Sequence, residues 1–226
     1  NGAGKTTLMK IISGVIKPSK GQIFINGHDI DVLTDSERAK LVATVPQIVE
    51  FPTGFSAMDM VLMGRNPHLT LFQWPGRIDL NIAKNAMEMT GIWRLADRDI
   101  SSLSGGERQR TVIAMAITQE ANLMLLDEPS SNLDLSHQIL IMDLIRDLQK
   151  RNAGATLITM HDLTLAALYC DRIIMLEEGK PYVVGRPLDV LNRENIVNVY
   201  GTDVIVTIHP KSGTPVVLPI PKSKKP

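Results

Sequence analysis

Leu123-Met124-Leu125-Leu126-Asp127-Glu128-Pro129 is a short, wholly apolar run that closes on two acids and a proline. A strand buried on both faces reads as a continuous apolar run, because neither side of its pleat meets water, and such strands belong to parallel sheets covered by helices. Leu41 to Val45 reads as another buried strand, stopped by Pro46, and Thr156 to Met160 as a further one ending at His161. Arg172 to Leu176 is read as the next buried strand in the same series. Helical patterns lie at Asp35 to Leu41 and at Leu135 to Arg151, and strands alternating with helices argue an α/β chain built on a parallel sheet flanked by helices.

Outward from that core, the chain opens on Asn1-Gly2-Ala3-Gly4-Lys5-Thr6-Thr7, after which Leu8, Met9, Ile11 and Ile12 recur at helical spacing with Gly14 as a C-cap candidate. Gln22-Ile23-Phe24-Ile25 runs into Asn26-Gly27 and on to Asp29-Ile30, the strongest short hairpin signal in the sequence. Between Phe51 and Thr118 no strand signal survives. Ser56 with Asp59 has the spacing of a capping box ahead of Met58, Val61, Leu62 and Met63, and Asp79 to Thr90 is a second helical pattern, so this span is read as an inserted helical segment. From Thr202 the alternation of Val204, Val206 and Ile208 predicts a small β appendage, and Pro221-Lys222-Ser223-Lys224-Lys225-Pro226 a frayed, solvated end.

At 226 residues the chain can bury a substantial core. Lys plus Arg total 24 and Asp plus Glu total 24, so no net positive field recommends nucleic acid as a partner. The single Cys170 excludes an internal disulfide framework and reads as a small core residue in a reducing compartment. No apolar stretch approaches the roughly 20 residues that cross a bilayer, so any membrane connection is expected through a partner.

The chemistry concentrates in three places. Gly2 and Gly4 let backbone N–H groups close on an anion, Lys5 can reach the β and γ phosphates, and Thr6 can offer its hydroxyl to Mg²⁺. Asp127 ends its strand where a carboxylate can hold Mg²⁺ through water, and alternation along the strand turns Glu128 to the opposite side, toward an attacking water. Ser104-Gly105-Gly106-Glu107 has capping-box spacing ahead of Val112, Ile113 and Met115, yet a cap does not call for two glycines, each costing up to about 1 kcal/mol against Ala in a helix. Glycines there expose backbone N–H groups and the positive helix end to an anion. Because Gly2 to Thr6 already grip the phosphates on one side, this second anion site is expected to cover a nucleotide held by another copy. Gln47 and His161 each follow a buried strand, at the sheet edge where α/β folds bind ligands, and are read as contacts to γ-phosphate or water. His28, His68, His137 and His209 are read as solvated or locally bonded, since none has a second ligand at metal spacing.

In this order the residues resemble the ATP-binding subunits of ABC transporters, over nearly the whole chain. The resemblance implies a P-loop NTPase core over 1–50 and 119–200, an inserted helical subdomain over 51–118 and a C-terminal β appendage and tail over 201–226. It makes Asn1 to Thr7 a Walker A remnant, Gln47 the Q-loop, Leu103 to Glu107 the signature, Leu123 to Glu128 the Walker B strand with its catalytic glutamate, Ser131 to Asp134 the D-loop and His161 the switch histidine. Asn1, Gly2, Ala3, Gly4, Lys5, Thr6, Thr7, Ser104, Gly105, Gly106, Glu107 and Asp134 are then expected at ATP, with Thr6, Gln47 and Asp127 at Mg²⁺ and Glu128, His161 and Gln47 at the reaction. Val61-Leu62-Met63-Gly64-Arg65-Asn66-Pro67-His68, Leu95-Ala96-Asp97-Arg98 and Leu135-Ser136-His137-Gln138 look like those of importers of iron-siderophore, haem or cobalamin.

By that likeness two copies sandwich two nucleotides and work with permease subunits, and indirectly a substrate-binding protein, at the cytoplasmic face of the membrane. Two departures stand out. The first Walker A glycine would lie upstream of Asn1, so an N-terminal truncation that weakens nucleotide binding is expected, and Met115 stands where the family often has Arg. The alternatives are a soluble ABC ATPase of translation or DNA maintenance, or a degenerate copy that does not hydrolyse.

Overall fold

The computed structural model describes residues 2–47, 49, 51–131, 133–151 and 154–221, with the backbone alone at 151. Its contacts divide into two units: Thr7–Thr159, and the described residues on either side of that span.

The first unit is organised by a three-stranded parallel sheet. Ahead of it, α1 (Lys5–Ile12) ends where the Gly14 N–H donates to the Ile11 carbonyl at 3.0 Å. A hairpin of β1 (Phe24–Ile25) and β2 (His28–Asp29) follows, closed by Asn26 and Gly27 at φ 51° and 81°. Positive φ at both turn residues matches the right-handed twist of the strands, which is why Asn-Gly carries the signal. Next, α2 (Asp35–Leu41) runs directly into β3 (Val42–Val45). The central strand β4 (Leu123–Asp127) pairs in parallel with β3 from Val42↔Leu123 and with β5 (Ala155–Thr159) from Leu123↔Ala155 to Asp127↔Thr159. Leu125 and Leu126 are fully buried, and Met9, Ile25, Ile30 and Val42 pack with Leu125. Burial of each such side chain contributes about 1.5–3 kcal/mol. The return from β4 to β5 is α6 (Leu135–Arg151).

Between β3 and β4 the described residues are helical: α3 (Ala57–Leu62), a 3₁₀ turn Met63–His68, α4 (Arg77–Met89), two short 3₁₀ turns and α5 (Gly105–Thr118). Ala57, Val61, Ala83, Ala86, Met87, Ile92, Ile100 and Ala114 form a core of their own. Among the described residues there, the strand-like pairing is an isolated bridge between Ser56 and Asp99. At the 3₁₀ turn, Gly64 lies so close to α5 that a Cβ would stand 2.2 Å from the Met115 carbonyl oxygen. Buried Arg65 ties the turn down: it donates to Asp79 Oδ1 at 2.9 Å, to the Thr118 carbonyl at 2.9 Å and to Glu120 Oε2 at 2.6 Å. The Gly76 N–H and then Arg65 hold the Asp79 carboxyl below the usual range.

The second unit corrects one expectation. The segment read as a buried strand of the parallel series is β6 (Ile173–Glu177), but it pairs antiparallel with β7 (Lys180–Gly185). Its turn is the reason: Glu178 and Gly179 have φ 48° and 76°, the two-residue geometry that folds a strand back on itself. Only Met175 of β6 is buried, so an apolar run stood here for a half-covered hairpin. Two helices, α8 (Pro187–Val190) and α9 (Arg193–Tyr200), lead to β8 (Val204–Ile208) and β9 (Pro215–Pro219), which pair antiparallel over five residues. Val190, Leu191, Ile196 and Val204 are buried together with Met175 and Ala167 of α7 (Leu163–Tyr169). Cys170, expected in the core, is only half-buried at the end of α7, and burial pushes its thiol up. Residues 222–226, expected to fray, lie outside the described residues.

Candidate functional site

Asn1 lies outside the described residues, and the rest of the first loop has the backbone an anion cradle needs. Gly2 and Gly4 sit at φ 85° and 90°, where a side chain is strained, and a Cβ on Gly4 would stand 3.5 Å from the Gly179 Cα. The helix begins at Lys5, so the first-turn N–H groups of α1 have no acceptor within the helix and the positive end of its dipole lies at the loop. Ala3 and Lys5 are half-buried, and Thr6 and Thr7 are exposed.

The acid pair sits at the end of β4, with partners from β5 and from the exit of β3. Asp127 is 8% exposed, and its carboxylate accepts from the Thr159 hydroxyl on β5. β4 stops at Asp127, and Glu128 turns out of the strand at φ 51°. Strand alternation therefore does not set the aim of Glu128, contrary to the expectation from sequence. Its N–H donates to Thr159, at 3.0 Å to the hydroxyl and 3.2 Å to the carbonyl. Its carboxylate is met from the other side, where Gln47 Nε2 donates to Glu128 Oε2 at 2.8 Å. Gln47 is exposed, two residues past β3. Residues 81 positions apart are thus joined because β3 and β5 flank β4 in register.

The glycine turn opens α5 as a capping box: Ser104 N–H donates to Glu107 Oε2 at 2.8 Å, and Glu107 N–H to Ser104 Oγ at 3.4 Å. The Ser104 N–H first, and then the Ser104 hydroxyl, hold the Glu107 carboxyl below its ordinary value. Gly105 is exposed with nothing within 4 Å of where a Cβ would be, whereas a Cβ on Gly106 would meet the His137 ring at 3.1 Å. His137 is held by Asp134, whose Oδ1 accepts from the His137 N–H at 2.9 Å, from His137 Nδ1 at 2.8 Å and from Ser136 Oγ at 2.8 Å. The His137 backbone bond leads the causes that lower the Asp134 carboxyl to about 2. Asp134 therefore starts α6 as a cap and brings that start against the glycine turn. Asn132 lies outside the described residues.

His161 is exposed, just ahead of α7, which Asp162 caps by accepting from the Leu165 N–H at 2.9 Å. It belongs with Gly2 to Thr6 in the second unit, while Gln47, Asp127, Glu128, Asp134 and the glycine turn belong to the first. One residue escaped the sequence reading: Thr159 was signalled only by register, as the last residue of the strand beside Asp127. His137 is locally bonded, as read, through Asp134. Among the described residues no group of three or more His, Cys, Asp or Glu side chains forms a metal cluster, and no helix is long and apolar enough to cross a membrane.

A family model described as ABC transporter matches residues 1–131. The chain is 38% identical over 221 residues to the cobalamin import ATP-binding protein BtuD of Halobacterium salinarum, covering 98% of this chain and 55% of that protein. It thus spans about half the length of the first curated relatives it matches. A chain from a transporter assigned to the metal-chelate type, solved in an inward-facing conformation, matches with a TM-score of 0.84 at 29% identity, over 99% of this chain and 84% of that chain. The dimeric ATP-binding cassette MJ0796, in a post-hydrolysis state bound to ADP and Pi, matches with a TM-score of 0.70 at 26% identity, over 81% of each chain. The fold is the α/β fold of the P-loop cassettes, and with residues 1–131 of its 226 matched, the chain belongs to the ABC transporter family.

Proposed function

We propose that this chain is the ATP-binding and ATP-hydrolysing subunit of an importer, working as a pair of copies that close over two nucleotides. The observation that carries the reading is the 2.8 Å bond from Gln47 to Glu128, beside an Asp127 buried at the strand end. That arrangement offers one carboxylate for a metal and a second, steered by an amide, for water.

The residues fit Mg²⁺ and ATP within each unit. Left-handed Gly2 and Gly4 and the open N-terminus of α1 suit a phosphate, and Lys5 and Thr6 follow at the spacing that reaches it. A divalent cation of this kind takes one or two carboxylates and completes its shell with phosphate and water, so a lone Asp127 is an adequate protein donor. When bound, Mg²⁺-ATP supplies the electrophilic γ-phosphate and the charge neutralisation for its transfer. In the second unit Lys5 and the loop N–H groups would hold the phosphates, Thr6 would offer its hydroxyl to the metal and His161 would help position water; in the first, Asp127 and Gln47 would serve the metal and Glu128 would take the proton of a water that Gln47 positions. Exposed Gly105 and its neighbours Ser104, Gly106 and Glu107 form the second anion site, offered to the nucleotide of a partner copy, with Asp134 holding the adjoining helix start. The likeness to a dimeric cassette supports that pairing.

The helical segment between β3 and β4 docks permease subunits, which places the chain at the cytoplasmic face of a membrane through its partners, with a substrate-binding protein upstream. Cobalamin and metal chelates of the siderophore or haem kind are the substrate class, from the likeness to a cobalamin import protein and to a metal-chelate type transporter.

Replacing Glu128 by Gln is the test. Loss of a general base costs about 10²-fold or more in rate, so Glu128→Gln should slow hydrolysis by that much while ATP-bound dimers persist. Undiminished turnover, read as phosphate release by the full-length protein, overturns the role of Glu128.

A further inference from the structure

We infer that Thr159 is a positioning residue for the two acids, setting the rotation of Asp127 and the backbone bend that aims Glu128. The inference rests on the hydrolytic reading above. Thr159 is 8% exposed and stands directly opposite Asp127 in the parallel register of β4 and β5. Its hydroxyl has two duties at once, donating to the Asp127 carboxylate and accepting the Glu128 N–H at 3.0 Å. One O–H can satisfy both only in a single orientation, so the side chain locks the two residues relative to each other.

The lock matters because of the Glu128 backbone. A non-glycine residue at φ 51° occupies a sparsely populated region and stays there only where its surroundings hold it. Among the bonds that hold it, the Glu128 N–H donates to the Thr159 hydroxyl and carbonyl, and the Ser131 N–H donates to the Glu128 carbonyl at 3.0 Å. That bend turns the Glu128 side chain out of the strand to where the Gln47 amide meets it at 2.8 Å. Without the hydroxyl, the Glu128 N–H keeps only the longer bond of its pair to Thr159, at 3.2 Å to the carbonyl, and the Asp127 carboxylate loses a buried donor. Thr159 thus reaches the reaction through two other side chains, without itself touching nucleotide.

The test is steady-state hydrolysis by the full-length protein, wild type beside Thr159→Val, Thr159→Ser and Glu128→Gln, with ATP and Mg²⁺ each varied. Val keeps the branched shape and removes the hydroxyl, while Ser keeps the hydroxyl. Partners that orient a metal-binding carboxylate are typically worth about 10–100-fold in activity or metal affinity, so Thr159→Val should lower kcat by about that factor or raise the Mg²⁺ concentration for half-maximal rate equally. The KM for ATP should move far less, because the phosphate grip lies in residues 2–7. Thr159→Ser should restore wild-type kcat within about threefold, a rescue that follows from retention of both hydroxyl bonds. A merely packing role predicts the reverse, with Ser impaired and Val active.

If Thr159→Val matches wild type in kcat and Mg²⁺ dependence while Glu128→Gln is slow, the inference fails and the hydrolytic reading stands. Should the wild type show no hydrolysis, the reading and the inference fall together. Where Thr159→Val does not fold, Thr159→Ser decides: full activity supports the hydroxyl's role, and a loss as large as that of Glu128→Gln overturns it.

Discussion

Two helices of this protein start with the same local grammar and end in different surroundings. At α3, Ser56 N–H donates to Asp59 Oδ2 at 2.9 Å and Asp59 N–H to Ser56 Oγ at 3.1 Å. At α5, Ser104 and Glu107 exchange the same two bonds. The enclosed residues differ: Ala57 is fully buried in the helical core with Met58 packed against it, whereas Gly105 faces open space and Gly106 abuts His137. A capping box therefore accounts for a helix beginning and says nothing about what that beginning serves. What distinguishes the two is the glycine pair, unfavourable for helix propensity and bare of side chains at an exposed N-terminus.

The comparison breaks most clearly at Gly105. Gly105→Ala meets no atom in the fold, so thermal stability should hold or rise slightly, yet the methyl blocks close approach to the backbone N–H groups. Losing one such donor to a transition-state anion costs about 10²-fold or more in kcat, measured as hydrolysis per folded molecule. An unchanged rate would make the two turns equivalent. The converse change at the buried turn is smaller and of another kind: Ala57→Leu overpacks a closed core and should cost about 1–3 kcal/mol in denaturant unfolding, with the activity of the folded fraction retained.

The smallest effect is a titration that sharpens the difference at the neighbouring cap of α6. Asp134 has a folded-state carboxyl at about 2 against an ordinary 3.8, so the charged form is favoured by folding. Its contribution is complete above 3.8 and fades as pH falls toward 2. Amide-exchange protection of the His137 N–H should decline across that window, and Asp134→Asn should flatten the decline.

Much of this was legible because it depends on short-range chemistry. Both capping boxes, the Asn26-Gly27 hairpin, the join of α2 to β3 and the extent of α6 follow from residues within a few positions of one another. The failures share the opposite character. Nothing in Arg172 to Leu176 says which strand it will pair with, and its partner β7 was unread because Pro181 and a half-exposed pattern break the strand signal. At the acids, sequence identifies Asp127 and Glu128 but assumes the strand continues, and it stops one residue earlier. Thr159 lies 32 residues from Asp127 and becomes visible only once β4 and β5 are aligned.

Gln119, the residue after α5, carries a consequence for motion. Its carboxamide donates to the carbonyls of Ala39 and Val42, and its own carbonyl meets His68 Nε2 at 2.8 Å. One side chain therefore moors the far end of the glycine-turn helix to the strand whose exit carries Gln47. If α5 swings as a rigid rod, it either hauls that strand along or snaps two tethers worth about 0.5–1.5 kcal/mol each. A push on the helical segment would in this way load the strand that leads to Gln47.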